Sequence, residues 1–253
     1  MKKYIKITVR KLNYKKNKKN KRKTKKRCKK RICFKNKPKN FIFGYGSIIN
    51  IDSMKHTGKK YVGNPIPVEL SKKAGFQRIW VCKKSKYGKY SFLGLIKNRK
   101  KAHNINGVIT PVYKCIKNFD KREKGYKRIK IKYDPKKKNM IKALSWQNLP
   151  NYPCNIYIYL NNEEITYPKK DCPISQNYLD TILIGCLDYG EDYVKKFIKN
   201  TYGWSNKKGE VFWVNDRKIT KRKWIKGCTV KKKNFIDKLL KKYIPNYYKF
   251  RKN

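Results

Sequence analysis

The chain has 253 residues, with 70 lysines and arginines against 15 aspartates and glutamates, a formal net charge of +55 at pH 7. This excess makes acidic metabolites, nucleic acids and other polyanions candidate partners. The hydrophobic fraction of 39% is sufficient for a packed core, which argues against a wholly disordered chain. No run of 18 apolar residues is present, and this excludes a membrane-spanning helix.

The cysteines and the N-terminus bear on compartment and metal binding. The first residues lack the apolar run of a secretory signal peptide, which favours an intracellular, cytoplasmic location. None of the eight cysteines forms a Cys-x-x-Cys pair and there are only two histidines, so the spacing of zinc ligands is missing. We therefore expect free, reduced thiols, no disulfide framework and no bound metal.

Residues 1–39 are predicted to form a disordered basic arm. Residues 1–40 hold 21 lysines and arginines and no acid, a composition that cannot bury enough surface to fold alone. Such an arm would bind nucleic acid without sequence preference, through counterion release. A solvated tail without a partner, or a nuclear address, explains the same composition equally well. The abundance of Lys, Asn, Ile and Tyr also fits an A/T-rich genome.

The folded domain is expected to span residues 40–253 and to begin with strands. Short β-type runs recur at regular intervals and are separated by turns rich in Lys, Gly and Asn. In the run 126–133, Ile129 and Ile131 alternate with basic residues, the period-two pattern of a half-buried strand. Six strands are predicted, at 41–45, 76–82, 91–97, 107–113, 126–133 and 155–160.

Two helical patterns follow the strands. The first places an apolar stripe at helical spacing along one face, made of Leu179, Ile182, Leu183, Cys186 and Leu187. Asp171 and Pro173 are expected to supply its N-cap and first turn. The second pattern spans about residues 191–200. Strands followed by helices predict an α+β fold with a single, strongly curved sheet or barrel.

Two short segments are candidates for chemistry. The segment Gly44-Tyr45-Gly46-Ser47 follows the first strand, where paired glycines allow backbone N–H groups to converge on an anion. Many such turns are only turns, and the spacing is that of neither a Rossmann nor a P-loop motif. Glu123 lies between the fourth and fifth strands of an acid-poor chain. Alternatively, Glu123 is an exposed glutamate that pairs with a lysine at the end of a short helix.

In combination, these segments resemble the γ-glutamylcyclotransferase-like superfamily. The resemblance rests on FIFGYGSII, GVITPVY, FDKREKGYKRIKI and PISQNYLDTILIGCLDYGEDY. They are similar to the family's YGS loop, its Gly-Val strand, its active-site segment with Glu and Tyr, and its helix with Ser/Thr-x-x-Tyr. The match covers most of residues 41–200, and residues 201–218 resemble the tail of less characterised relatives. Residues 201–253 are accordingly expected to be a C-terminal extension.

The resemblance implies a mixed β-barrel flanked by helices and a cofactor-independent reaction. A γ-glutamyl small molecule or peptide would cyclise to 5-oxoproline and release its amine or peptide. Glu123 matches the family's general acid/base, and Tyr45, Gly46, Ser47 and Ile48 match the loop that binds the glutamyl head. Tyr178 matches the tyrosine of the helix motif, for which a core aromatic is an equally good interpretation.

Substrate choice and activity are left open by the sequence. Several branches of the family have Asn or Leu where this chain has Ile48, and isoleucine cannot reproduce the side-chain hydrogen bonds of asparagine. Relatives act on glutathione, other γ-glutamyl amino acids or γ-glutamyl amines, so the motifs do not select one substrate. The alternative function is a nucleic-acid or polyanion-binding protein on an inactive scaffold. If the Glu123 carboxylate lines a cavity that faces the Gly44–Ser47 loop, the enzyme is favoured. If it points to bulk solvent beside Lys121 or Lys124, the inactive scaffold is favoured.

Overall fold

A computed structural model describes residues 37–85, 88–137, 139–144, 148–219, 225 and 228–252. The predicted disordered arm therefore lies outside the described residues, except for residues 37–39. In the described part, no helix is both long enough and apolar enough to cross a membrane.

The larger of two sheets has six strands in the order β6-β8-β1-β5-β2-β7. Strand β1 lies parallel to β8 and antiparallel to β5, and the other neighbouring pairs are antiparallel. The run FIFG of β1 is buried along its length, as expected for a central strand that is covered on both faces. The strands are β1 (Asn40–Gly44), β2 (Ile66–Leu70), β5 (Ile105–Val112), β6 (Tyr126–Tyr133), β7 (Ile141–Ala143) and β8 (Cys154–Asn161).

The second sheet has four strands in the order β10-β9-β4-β3. Its members are the hairpin of β3 (Phe76–Ser85) and β4 (Gly88–Lys97), and the short strands β9 (Ile174–Ser175) and β10 (Trp213–Val214). Both sheets contribute side chains to one hydrophobic cluster, in which Phe43 and Ile158 of the first sheet lie with Trp80 and Leu95 of the second. The sheets thus enclose a common core.

Helices flank the two sheets, and the most buried one is α3. It is buried on nearly all sides, as expected for a helix inside the core. Gly185 of α3 packs so closely on the backbone of Asn50 that a β-carbon there would lie 2.6 Å from the Asn50 Cα. The helices are α1 (Ile51–Gly58), α2 (Ile116–Arg122), α3 (Gln176–Leu187), α4 (Glu191–Lys199), α5 (Val230–Tyr243) and α6 (Pro245–Tyr248), with 3-10 turns at Ser47–Ile49, Lys59–Tyr61 and Lys72–Ala74.

The predicted α+β class, with a mixed sheet flanked by helices, is confirmed. The strands form two hydrogen-bonded sheets rather than one continuous sheet, because the β3–β4 hairpin pairs with β9 and β10 instead of with the six-stranded sheet. The extension after residue 200 is part of the same core, since Leu239 and Leu240 of α5 are buried in the main cluster.

The predicted cap of α3 is wrong. Ser175 is the N-cap residue, and its hydroxyl accepts a hydrogen bond from the backbone N–H of Tyr178 at 3.1 Å. Asp216, which lies 41 residues further on, accepts from the Ser175 hydroxyl at 2.6 Å. The helix starts later than predicted because residues 174–175 form β9 first.

The expectation that the thiols are free is wrong for two cysteines. Cys82 and Cys172 form a disulfide across 90 residues of sequence. Both flank Ser91 of β4, which pairs with Cys82 in the hairpin and donates a hydrogen bond from its hydroxyl to the Cys172 carbonyl oxygen at 2.8 Å. Sequence spacing carries no information on such a contact, since strand pairing alone brings the two residues together. The free cysteines of the described residues are Cys115, Cys154, Cys186 and Cys228.

Candidate active site

Glu123 is positioned by the turn that joins α2 to β6. Its N–H donates to the Phe119 carbonyl oxygen at 2.8 Å, and its own carbonyl accepts from the N–H of Tyr126 at 2.9 Å. Gly125 completes the turn with a φ of +91°, a conformation that strongly favours glycine. The buried Phe119 anchors α2 in the core, so the carboxylate stands on a rigid support. The side chain of Glu123 is only 18% exposed.

The neighbouring Arg122 joins Glu123 to the YGS loop. The Arg122 Nε lies 3.1 Å from Glu123 Oε1, while Nη2 donates to the Ser47 hydroxyl at 3.0 Å. The same guanidinium donates to the Ser53 hydroxyl and carbonyl oxygens and to the Thr57 hydroxyl. Its five N–H groups are therefore all committed within the protein. One planar group fixes the carboxylate, the loop and α1 relative to one another.

The YGS loop leads directly into the 3-10 turn Ser47–Ile49, whose N-cap is Gly46. The turn is closed by the N–H of Ile49, which donates to the Gly46 carbonyl oxygen at 2.9 Å. Ser47 and Ile48 are its first residues, so their N–H groups have no partner within the turn. A β-carbon on Gly46 would lie 3.3 Å from the Tyr178 hydroxyl oxygen. The absence of a side chain thus lets the loop pack closely against the Tyr178 hydroxyl.

Tyr45, Tyr126 and Tyr178 surround this region, and they interact electrostatically with Glu123 or with one another. The Tyr45 hydroxyl donates to the Tyr159 carbonyl oxygen at 2.6 Å, and the Tyr126 hydroxyl donates to the Leu93 carbonyl oxygen at 3.2 Å. Burial raises the pKa of Tyr45 well above its ordinary value, with smaller contributions from Glu123 and Tyr178. Burial likewise raises the pKa of Tyr126, which also responds to Tyr45, Tyr178 and Glu123. Both hydroxyls therefore stay protonated as donors at neutral pH.

The pKa of Glu123 is raised from the ordinary value of a glutamate. Burial is the main cause, and Arg122 and Lys83 oppose it by stabilising the carboxylate. A carboxyl group that is partly desolvated, yet held by cations, exchanges a proton at a higher pH than an exposed glutamate does. This property suits a group that must both accept and donate a proton.

The structure brings most of the predicted site residues together. Glu123 is linked to the loop through Arg122, and the Tyr178 hydroxyl lies close to Gly46 while its ring packs edge-on against Trp80 and Phe92. Tyr178 is therefore both a core aromatic and a neighbour of the loop. The Ile48 side chain belongs to the buried cluster of Ile42 and Met54, which leaves its backbone N–H as the part that can meet a ligand.

Sequence reasoning missed three residues of this site. Tyr126 stands in the quoted segment FDKREKGYKRIKI, and its place three residues after Glu123 was a usable signal. Arg122 could not be singled out from the sequence because it is one of 70 lysines and arginines. Lys83 lies 40 residues before Glu123, and no local pattern connects them.

Arg122→Lys is expected to lower the catalytic efficiency of any reaction at this site about 10- to 100-fold, since an ammonium cannot reproduce the planar set of bonds to Glu123, Ser47 and α1. Steady-state kinetics with thermal unfolding of the same sample measures this effect. The matched control is Arg99→Lys at an exposed arginine. Unchanged kinetics in Arg122→Lys would show that the guanidinium does not organise the site.

No protein-family model and no curated protein matches the sequence. Among solved structures, an uncharacterised human protein is 17% identical, with 66% of this chain and 91% of that chain covered and a TM-score of 0.46. Solved γ-glutamyl cyclotransferases are also similar to this chain.

One γ-glutamyl cyclotransferase is 14% identical, with 78% of this chain and 98% of that chain covered and a TM-score of 0.46. A yeast γ-glutamyl cyclotransferase specific to glutathione is 14% identical, with 51% and 72% covered and a TM-score of 0.36. The chemistry of the present chain has to be inferred from its own residues.

Proposed function

We propose that the protein is a γ-glutamyl cyclotransferase with Glu123 as its general acid/base. The observation that carries the proposal is the Arg122 guanidinium, which lies 3.1 Å from the Glu123 carboxylate on one side and donates to Ser47 on the other. The guanidinium thereby links the proposed acid/base to the loop whose backbone N–H groups would bind the substrate, which supports the proposal. A γ-glutamyl group that binds the loop would present its α-amine to Glu123.

The reaction balances with this single carboxylate. Glu123 takes a proton from the α-ammonium of the glutamyl group, and the free amine attacks the γ-carbonyl carbon to close a five-membered ring. The attacking nitrogen loses a second proton after the ring closes. Glu123 returns its first proton to the leaving nitrogen as the bond from the carbon to this nitrogen breaks, and it then relays the second proton, so that the amine departs as an ammonium and the ring nitrogen keeps one N–H. The products are 5-oxoproline and the amine or peptide. Ring closure is intramolecular, so the orientation of the bound substrate supplies much of the rate.

The loop and the tyrosines have supporting roles in this proposal. The N–H groups of Ser47 and Ile48 would bind the carboxylate of the glutamyl head. Tyr178, whose hydroxyl lies close to Gly46, would contact the bound group beside the loop. The neutral hydroxyls around Glu123 add no competing charge, so its proton affinity is set mainly by burial, Arg122 and Lys83.

The alternative, a polyanion-binding protein on an inactive scaffold, is less well supported. The Glu123 side chain is largely buried and paired with Arg122, rather than exposed beside Lys121 or Lys124. Non-specific binding of nucleic acid through residues 1–40 is a separate property that could coexist with the enzyme. The test is whether the protein retains single-stranded DNA in a salt-sensitive way. A polyanion partner would be favoured if the Glu123→Gln variant still binds the DNA and a variant without residues 1–40 does not.

The test of the proposed function is the release of 5-oxoproline by the purified protein from a panel of γ-glutamyl compounds. The panel contains γ-glutamyl amino acids, glutathione and γ-glutamyl amines, with α-glutamyl dipeptides as controls that cannot present a γ-carbonyl to the α-amine in the same way. We expect turnover of at least one γ-glutamyl class and none of the α-linked controls. A panel without any 5-oxoproline above the uncatalysed rate would contradict the proposal.

A further inference from the structure

Lys83 of β3 is a largely buried cation at the catalytic turn. Its Nζ donates to the Gly125 carbonyl oxygen at 2.9 Å and stands 3.8 Å from the centroid of the Tyr126 ring. Its counterion is Glu163, at 3.4 Å. The Lys83 side chain is 11% exposed whereas that of Glu163 is 61% exposed, so the pair joins a fixed cation to a carboxylate at the surface.

Arg122 and Lys83 are the cations that stabilise the ionised Glu123, and only one of them has capacity for a ligand. Every N–H group of Arg122 is bound to Glu123, the loop or α1. The Lys83 ammonium has three donors, of which one is held by the Gly125 carbonyl and one by the solvent-exposed Glu163. An incoming anion could therefore be accepted by Lys83 without dismantling the site.

We propose that Lys83 determines substrate class by binding a carboxylate on the leaving part of the γ-glutamyl substrate, in exchange for Glu163. The preferred substrates are then γ-glutamyl amino acids or peptides, and γ-glutamyl amines without this carboxylate are poor substrates. This inference rests on the proposed cyclotransferase function and deepens it.

The exchange is physically favourable because one carboxylate replaces another. The Lys83 ammonium keeps an anionic partner throughout, so no buried charge is left uncompensated. The released Glu163 is already mostly hydrated, and an exposed ion pair contributes little free energy. An exposed competitor of this kind can yield to a substrate anion that is held at a second point by the loop.

Gly125 keeps the approach to Lys83 open. A β-carbon at this position would lie 3.3 Å from Glu163 Oε1 and 3.7 Å from Lys83 Nζ, within the space where the two charges meet. The turn thus holds the Lys83 ammonium at the Gly125 carbonyl oxygen, two residues along the backbone from Glu123. A substrate whose scissile bond lies at Glu123 would extend its leaving group toward Lys83.

The test compares matched acid and amide substrates in the full-length protein. The compounds are γ-glutamylglycine, glutathione and the C-terminal primary amide of each, which share the glutamyl head and differ in the leaving carboxylate. The readout is the ratio of kcat/KM for each acid to that for its amide. This ratio cancels any effect of Lys83 on the proton affinity of Glu123, since that effect is common to both compounds.

The two members of the ion pair should change this ratio in opposite directions. We expect Lys83→Met to lower it about 10- to 100-fold, through the loss of a charged hydrogen bond. Glu163→Gln should raise it about two- to fivefold, because the competing anion is removed. Lys89→Met, which removes an exposed lysine from the neighbouring strand β4, is the matched control and should leave the ratio unchanged.

A purely structural role of the ion pair predicts a different result, namely that both substitutions affect acids and amides alike. An unchanged ratio in Lys83→Met, or a lower ratio in Glu163→Gln, would therefore overturn the inference, as would a wild type that prefers amides and amines. If Lys83→Met does not fold, the acid-to-amide ratio measured in the surface variant Glu163→Gln still tests the inference. The proposed function fails separately, if the wild type releases no 5-oxoproline from any γ-glutamyl compound.

Discussion

Glu123→Gln is expected to lower kcat/KM for release of 5-oxoproline about 10²- to 10⁴-fold, the usual contribution of a general acid/base. Glutamine keeps the size of the side chain and can still accept a hydrogen bond from Arg122, but it cannot take the proton of the α-ammonium. Steady-state kinetics on the best substrate of the panel measures the loss. The matched control is Glu164→Gln, at an exposed glutamate, which should retain full activity.

The same variant is expected to unfold no more easily than the wild type at neutral pH. The folded-state pKa of Glu123 is raised above its unfolded value, mainly by burial, so the folded protein holds this proton more tightly. Ionisation of Glu123 therefore costs stability as pH rises from the unfolded pKa through the folded pKa. Glutamine does not ionise, so Glu123→Gln should gain relative stability over that interval and lose the advantage at lower pH. Denaturation midpoints measured across pH report this difference.

The pH dependence of the wild-type rate provides an independent measurement. Catalysis needs the base form of Glu123, so kcat/KM should increase with pH through an apparent pKa above that of an ordinary glutamate. The residual activity of Glu123→Gln should lack this acid limb. Wild-type activity in Glu123→Gln, or an acid limb that persists in it, would assign proton transfer to another group.

Loss of the Cys82–Cys172 disulfide is expected to reduce the free energy of unfolding by about 2–4 kcal/mol. The bond closes a long loop between β3 and the segment that leads into α3, so it removes many conformations from the unfolded chain. Denaturant unfolding of the double variant Cys82→Ala/Cys172→Ala against the wild type measures the effect. In the wild type, a reducing agent should cause a loss of similar size.

Two controls make this prediction specific. Cys228→Ala removes a free cysteine and should leave the response to reductant intact. The double variant should show no response to reductant. A non-reduced proteolytic digest should contain one linked peptide pair with Cys82 and Cys172, and the absence of this pair together with a reductant-insensitive midpoint would contradict the disulfide.

The strands were predictable because their patterns are local. The run 126–133 is strand β6 at the predicted bounds, and the runs that begin near residues 41, 76, 91, 107 and 155 are strands with ends shifted by a few residues. Alternation of apolar and polar side chains depends only on which face of a strand is buried, so it can be read from a short window. The helices α1 and α5 were missed because their apolar positions are sparse among lysines and polar residues.

Arg78 illustrates what a local pattern cannot show. It lies within a predicted strand and would be expected at the surface, yet it is fully buried. Its guanidinium donates to Asn106, Thr201 and the Phe197 carbonyl oxygen and lies 3.8 Å from the Phe197 ring centroid. Burial lowers its pKa to about 10. These partners come from β5, α4 and the segment after α4, which only the tertiary fold assembles.

By itself, the sequence determined the α+β class, most strands, the helices α3 and α4 and the turn after β1, since each depends on neighbouring residues. The role of Glu123 comes from the motif resemblance and stays a prediction. The tertiary structure alone decided that Arg122 joins Glu123 to Ser47, that Lys83 and Glu163 meet at Gly125, and that Cys82 bonds to Cys172. Apart from the covalent adjacency of Arg122 and Glu123, these contacts join residues 38 to 90 positions apart. Which such residues meet depends on strand pairing and packing summed over the whole chain, and no short window of sequence contains that information.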